Sequence, residues 1–206
     1  MTSEAGQAAR REVCGACHRP KPACLCRWVT PVACTTEVLI LQHPLEVHHA
    51  KNTARLLHLS LLGSQVRVGE QFADADLHAA LAGPAVNVLL YPQGEQPAAP
   101  LPAWAPGLHA PDTPVRLVVL DATWRKSRKM LYLNPLLQCL PRLSLDATLL
   151  SRYLIRKAHK PGQLSTLEAT CAALAQLERD APSFQPLLDA FDGFVAHQLA
   201  FQTRRF

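Results

Sequence analysis

The sequence predicts an α/β fold: a mostly parallel sheet with helices on both faces, carrying a small cysteine knuckle at its N-terminal end. Three observations predict it. Short, β-rich apolar runs (TEVLIL, VNVLL, RLVVL) are long enough for strands and too brief for helices. Helical patterns lie between these runs, and such alternation is the mark of a parallel sheet covered on both sides. The breaks between elements fall largely at glycine, proline or small polar residues, Gly63 and Gly83-Pro84 among them.

In chain order, the N-terminal stretch MTSEAGQAARREV has basic residues but no apolar core after them, so it does not read as a secretory signal. No transmembrane run follows, and a cytoplasmic location is expected. Residues 14–26 read CGACHRPKPACLC, with Cys14 and Cys17 two residues apart, then Cys24 and Cys26 after six more. In a chain without secretory features, four thiols in so short a span point to a metal rather than to disulfides. Four thiolates close a tetrahedral site with no open position, which is the structural type of zinc site; an iron–sulfur cluster and a redox pair are the alternatives. Residues 1–35 are assigned to this tail and knuckle, and 36–206 to the main domain. Cys34, Cys139 and Cys171 have apolar neighbours and read as small core residues.

The first strand runs from Thr36 to Leu41 and stops at Gln42, His43 and Pro44. His48 and His49 follow in a loop and read as exposed polar residues. Asn52 and Thr53 cap a helix, NTARLLHLSLL, whose leucines recur on one face and which ends at Gly63. A strand over Gln65–Val68, a helix over Asp74–Leu81 and a strand over Val86–Leu90 come next. Tyr91 to Pro114 holds seven prolines (Pro92, Pro97, Pro100, Pro102, Pro106, Pro111 and Pro114), which exclude regular structure there, and a loop of this length is functional or disordered. Its first residues, YPQGE, leave the carboxyl end of a strand and make a candidate ligand wall.

The central stretch, RLVVLDATWRKSRKM, begins as a buried strand over Leu117–Leu120 and stops at an acid, Asp121. Thr123 is suited to cap the helix that starts at Trp124. In open α/β sheets ligands bind beyond the carboxyl ends of strands, so Asp121 stands where chemistry is usually done, although such a residue is also an ordinary helix cap. Arg142–Leu145 makes a last strand. Ser165 to Glu168 matches the capping box S-x-x-E, and an amphipathic helix over Phe184–Phe201 closes the chain. No G-x-G-x-x-G and no Walker A run follows any strand, so neither a Rossmann site nor a P-loop is supported.

Composition is that of an ordinary globular protein, 49% hydrophobic and 18% charged, and 206 residues suffice for one α/β domain with an appendage. The net charge of +5 is less telling than its placement. Between Trp124 and Lys160 nine cations (Arg125, Lys126, Arg128, Lys129, Arg142, Arg152, Arg156, Lys157, Lys160) face one acid, Asp146. Such asymmetry suits a face that meets phosphates, or a merely solvated helix surface.

Four ordered blocks together are specific. The knuckle CGAC…CLC, Lys51-Asn52-Thr53-Ala54-Arg55-Leu56, Asp121-Ala122-Thr123-Trp124, and Tyr153 to Glu168 resemble the DTW-domain family, whose bacterial members are tRNA-uridine aminocarboxypropyltransferases. Ala54 stands where the family usually has glycine. The resemblance implies kinship with SPOUT methyltransferases, hence a C-terminal trefoil knot holding S-adenosylmethionine, the co-substrate. It implies transfer of the 3-amino-3-carboxypropyl group to N3 of a tRNA uridine, with methylthioadenosine left behind. On this reading Asp121, with Thr123 and Trp124, is catalytic, Asp121 removing the N3 proton or orienting the donor's ammonium. Trp124 is expected to stack on the unpaired base or to wall Asp121 with apolar surface. Asn52, Thr53 and Arg55 are expected at the donor's amino-acid part, and Tyr91, Pro92, Leu120, Gln163, Leu164, Ser165 and Thr166 around the rest of it. Arg125, Lys126, Arg128, Lys129, Arg152, Arg156, Lys157 and Lys160 are expected to grip RNA phosphates. A SPOUT-type RNA methyltransferase and a non-enzymatic zinc-ribbon RNA-binding protein are the alternatives, and monomer and dimer are both left open.

Overall fold

The computed structural model describes residues 12–92, 113–145, 151 and 164–203. Five strands, β1 (Glu37–Gln42), β2 (Gln65–Val68), β3 (Val86–Leu90), β4 (Val115–Asp121) and β5 (Arg142–Leu143), form one sheet in the order β2-β1-β4-β3-β5. Every pairing is parallel. The helices are α1 (Ala54–Ser60), α2 (Asp74–Leu81), α3 (Trp124–Leu133), α4 (Pro135–Gln138), α5 (Thr166–Glu178) and α6 (Gln185–Thr203). None of the described helices is long and apolar enough to cross a membrane.

Why the strands are apolar throughout becomes clear from the two cores. Side chains alternate across a strand, so Val38, Ile40, Val88, Leu117 and Val119 face one side and Leu39, Leu41, Leu89 and Val118 the other. The first set packs with Leu56 and Leu57 of α1, Leu167 and Leu174 of α5, and Phe191 and Phe194 of α6. The second packs with Leu77 and Leu81 of α2, Met130 of α3 and Leu137 of α4. Both faces are covered by helices, as the uninterrupted apolar runs require.

The strand order differs from the dinucleotide-binding order 3-2-1-4-5-6 and from 2-1-3-4-5, because β4 lies between β1 and β3. The chain leaves β1 for β2 on one side and leaves β4 for β5 beyond β3 on the other. The crevice at the carboxyl ends of β1 and β4 is therefore a switch point, the place where open α/β sheets bind ligands. Register puts Gln42, the last residue of β1, opposite Asp121, the last of β4.

The N-terminal segment is joined to this body. Leu25 and Val32 are buried in the same core as α1, α5 and α6, and Val32 bridges to Leu61. Some details differ from expectation. The last strand ends at Leu143 rather than Leu145, and Cys139 is exposed at the end of α4 instead of in the core. Cys171 is buried, and desolvation pushes its thiol up to about 12. The connection from β5 to α5, through which the implied knot would thread, lies largely outside the described residues, as do the segment 93–112 and the cations Arg152, Arg156, Lys157 and Lys160.

Candidate active site

Asp121 ends β4 with a relative exposure of 4%. Its carboxylate is not a helix cap: Thr123 holds that position for α3, and its side chain makes no capping bond. Instead three neutral donors from three other elements converge on it. The Gln42 amide donates to Oδ2 at 2.8 Å, the Asn52 amide to the same oxygen at 2.6 Å, and the Thr166 hydroxyl to Oδ1 at 2.7 Å. An ionised carboxylate offers roughly four acceptor positions. Among the described residues three are occupied, and the remaining one is on Oδ1.

Two of these donors are themselves held. Asn52 precedes the N-cap residue Thr53 of α1, and its side-chain oxygen accepts from Arg55 N in the first turn at 3.2 Å, leaving its amide nitrogen for Asp121. Thr53 bonds across to α5 rather than along its own helix, its hydroxyl accepting from Leu167 N at 3.3 Å. Thr166 is the first residue of α5, set in place by a complete capping box: Ser165 Oγ accepts from Glu168 N at 3.2 Å and Glu168 accepts from Ser165 N at 2.8 Å. Gln42 was not anticipated from the sequence. The signal available was a polar residue ending an apolar strand one step before His43-Pro44.

A cavity of about 130 Å³ opens beside this carboxylate, lined by Glu46, His49, Lys51, Asn52, Thr53, Asp121, Ala122, Thr123, Lys126 and Thr166. That is well below the roughly 300–1,000 Å³ of a pocket that encloses a drug-sized ligand, so the described walls suit one polar segment of a ligand. Charges of both signs line it. Glu46 and Lys126 pair across it at 2.8 Å.

Other expected residues fall elsewhere. The Arg55 guanidinium turns to the Ala16 carbonyl in the cysteine knuckle, away from the cavity. Trp124 is 49% exposed and does not line the cavity, so the groups around Asp121 are polar donors and not an apolar indole wall. The indole instead meets Tyr91 edge-on, centroids 6.0 Å apart, while the Arg142 guanidinium sits 5.4 Å from the Tyr91 ring centroid and donates to the Pro92 carbonyl at 3.3 Å. Leu120 ends the apolar part of β4, and Leu164 and Ser165 lead into α5; Gln163 lies outside the described residues. Arg125 and Arg128 are exposed on α3. Lys129 pairs with Glu70 at 2.8 Å, and the Lys129 ammonium, with His43 beside it, holds the Glu70 carboxyl below its ordinary range.

Cys14, Cys17, Cys24 and Cys26 come together with all sulfurs within 4.8 Å of one another, Cys14 and Cys26 at 3.6 Å and Cys17 and Cys24 at 3.7 Å. A tetrahedral zinc with bonds of about 2.3 Å places its sulfurs roughly 3.8 Å apart, so the cluster could hold a metal of that size. The thiols are electrostatically unequal. Backbone amides of Cys17 and Ala16 lower Cys14 to about 6, while desolvation pushes Cys26 up to about 12. A divalent cation would supply the charge that lets all four ionise.

An all-parallel sheet with a buried carboxylate at its switch point, tied to three elements and opening on a charged cavity, defines an α/β protein with a polar-ligand site at the carboxyl edge of its sheet. The DTW domain model matches residues 11–199. The chain belongs to the DTW domain family. It is similar to the Mus musculus protein named tRNA-uridine aminocarboxypropyltransferase 2, 31% identical over 199 residues that cover 93% of this chain and 65% of the mouse protein. The Drosophila melanogaster protein of the same name is 32% identical over 198 residues, covering 92% of this chain and 76% of its own length. An Arabidopsis thaliana relative, tRNA-uridine aminocarboxypropyltransferase A, is 28% identical over 204 residues, covering 85% and 76%. The chain thus spans just under two thirds of the length of the mouse relative. No solved structure matches it.

Proposed function

We propose that this chain is a tRNA-uridine aminocarboxypropyltransferase that moves the 3-amino-3-carboxypropyl group of S-adenosylmethionine to N3 of a uridine. The carrying observation is the convergence of Asn52, Asp121 and Thr166, from three of the blocks that resemble the family, on one hydrogen-bonded carboxylate at the edge of a cavity. The donor supplies an electrophilic γ-carbon. A bond from N3 to that carbon forms as the carbon–sulfur bond breaks; the electron pair stays on sulfur, giving the neutral thioether methylthioadenosine, and the N3 proton leaves to a base.

Asp121 fits the base. Its one open acceptor position, on Oδ1, takes the N3 proton, and the three donors keep the carboxylate from rotating during transfer. The methyl and the propyl γ-carbon are both electrophilic because both are bonded to the sulfonium sulfur, so choice of the propyl carbon over the methyl depends on pose. The cavity, with Asn52, Thr53, Glu46 and Lys126 in its wall, sets that pose. Uracil N3 is engaged in paired RNA, so the target base must be unpaired or flipped, and Trp124, half-exposed beside Tyr91, is the surface on which it stacks. Arg125 and Arg128 meet the surrounding phosphates. The four cysteines hold structural zinc, residues 1–35 form the appendage that carries it, and 36–206 form a SPOUT-like catalytic domain with a C-terminal knot. Cytoplasmic localisation accords with a tRNA substrate.

The test is to incubate the purified protein with S-adenosylmethionine and unmodified tRNA, digest, and weigh the nucleosides. One uridine should gain an aminocarboxypropyl group, with an equal amount of methylthioadenosine released. A methylated uridine with S-adenosylhomocysteine would make the chain a methyltransferase, and tRNA binding with no product would make it a binding protein; either overturns the assignment.

A further inference from the structure

The Glu46–Lys126 pair has a position that stability does not explain. Glu46 ends the short 3-10 turn Pro44–Glu46 that follows β1, and Lys126 lies in the first turn of α3. Their side chains are only 10% and 28% exposed, with Lys126 Nζ 2.8 Å from Glu46 Oε1. A sequestered ion pair adds little to stability, because desolvation offsets much of its attraction. This one lines the same cavity as Asn52, Asp121 and Thr166.

A pair of opposite charges facing a cavity can be exchanged for a ligand that carries both charges itself. The ligand's anion then replaces Glu46 at the lysine, and its cation replaces Lys126 at the carboxylate, so no buried charge is left alone. Asp121 has one acceptor position left after its three bonds and cannot both receive a proton and hold an ammonium. We propose that Glu46 and Lys126 form the receptor for the α-amino-acid zwitterion of the donor, Lys126 Nζ binding the α-carboxylate and Glu46 the α-ammonium. The inference rests on the aminocarboxypropyl reading. It takes Lys126 out of the phosphate-contact set in which the sequence placed it. His49 and Lys51 also line the cavity.

Holding both charged ends of the tail fixes the α-carbon, and with it the γ-carbon two bonds away. These residues are therefore positioning groups for the propyl transfer.

The experiment is calorimetric titration of the full chain with three ligands: S-adenosylmethionine, its decarboxylated form, and methylthioadenosine, which lacks the tail. Lys126→Met should weaken S-adenosylmethionine about tenfold or more, the scale of one charge-assisted bond, and leave methylthioadenosine within about twofold. The decarboxylated donor should bind wild type and Lys126→Met alike. Glu46→Gln should weaken both amine-bearing donors and spare methylthioadenosine. Lys126→Arg, which keeps the charge and the packing, should retain most of the affinity and serves where the methionine variant folds poorly. Unchanged S-adenosylmethionine affinity in Lys126→Met and Glu46→Gln overturns the proposal, as does a loss in Lys126→Met confined to tRNA affinity and its salt dependence. If wild-type protein bound neither S-adenosylmethionine nor methylthioadenosine, the aminocarboxypropyl reading itself would fall.

Discussion

Replacing Asp121 by asparagine removes one charge and almost no volume, so its consequences can be worked from the three bonds at this carboxylate. The amide has one acceptor end and one donor end. If its oxygen takes the place of Oδ2, it still accepts from Gln42 and Asn52, and its nitrogen faces Thr166, whose hydroxyl can rotate to accept. The opposite orientation would set amide donors against amide donors and is the costlier one. In the better orientation three bonds survive but lose charge assistance, a difference of about 1 kcal/mol each, or about 3 kcal/mol in all. With an unfolding entropy of about 2.1 cal/mol/K per residue, a chain of this length should melt about 7 °C lower. Asparagine also lacks the basic lone pair, so the rate of methylthioadenosine release in a single turnover should fall about 10²- to 10⁴-fold. A calorimetric melt and that single-turnover assay check both numbers. An Asp121→Asn variant that melts within a degree of wild type, or keeps a tenth of the rate, would refute the account of this site.

The purified chain should carry about one zinc, measured by elemental analysis, and Cys17→Ser should lose most of it and melt lower. Gly193→Ala should destabilise by about 1–3 kcal/mol in a thermal melt, because the added Cβ would stand 2.2 Å from Cζ3 of Trp28. Ser165→Ala, which removes the cap of α5, should cost about 1 kcal/mol in denaturant unfolding and lower activity through Thr166. Burial, then the Arg55 charge, holds His58 below its ordinary pKa, so as pH falls through about 6.5 the unfolded chain takes up its proton first and stability is lost. His58→Gln should flatten that acid-side loss between pH 7.5 and 5.5.

The strands and helices from Gln65 to Leu90 were legible to the residue, because apolar runs there are bounded by Gly63, Gly83 and Pro84. Strand order was not, since nothing local says that β4 inserts between β1 and β3. The same division holds at the site. Asp121, Asn52 and Thr166 stand in recognisable motifs, but Gln42 and Glu46 carry no pattern of their own; strand register brings Gln42 to the Asp121 carboxylate, and the turn after β1 brings Glu46 to the cavity wall. Arg55 shows the converse. It stands in a recognisable block, yet its guanidinium bonds the Ala16 carbonyl and does not line the cavity beside the carboxylate that Asn52 holds.

That turn of Arg55 links the two ends of the molecule. Helix α1 has seven residues, too few to be stable alone, so its placement depends on what it packs against. At its start Asn52 reaches Asp121; within its first turn Arg55 ties to the knuckle at Ala16. At its end Ser60 accepts from Thr30 N through its hydroxyl at 3.2 Å and from Val32 N through its carbonyl at 2.8 Å, both in the segment after Cys26, the last cysteine of the knuckle. The cysteine knuckle and the segment that follows it are therefore stitched to the same short helix that orients the Asp121 carboxylate. A metal bound by the four cysteines would act on the position of Asn52 through this helix, by geometry alone, so Cys17→Ser should lower the affinity for S-adenosylmethionine as well as the metal content.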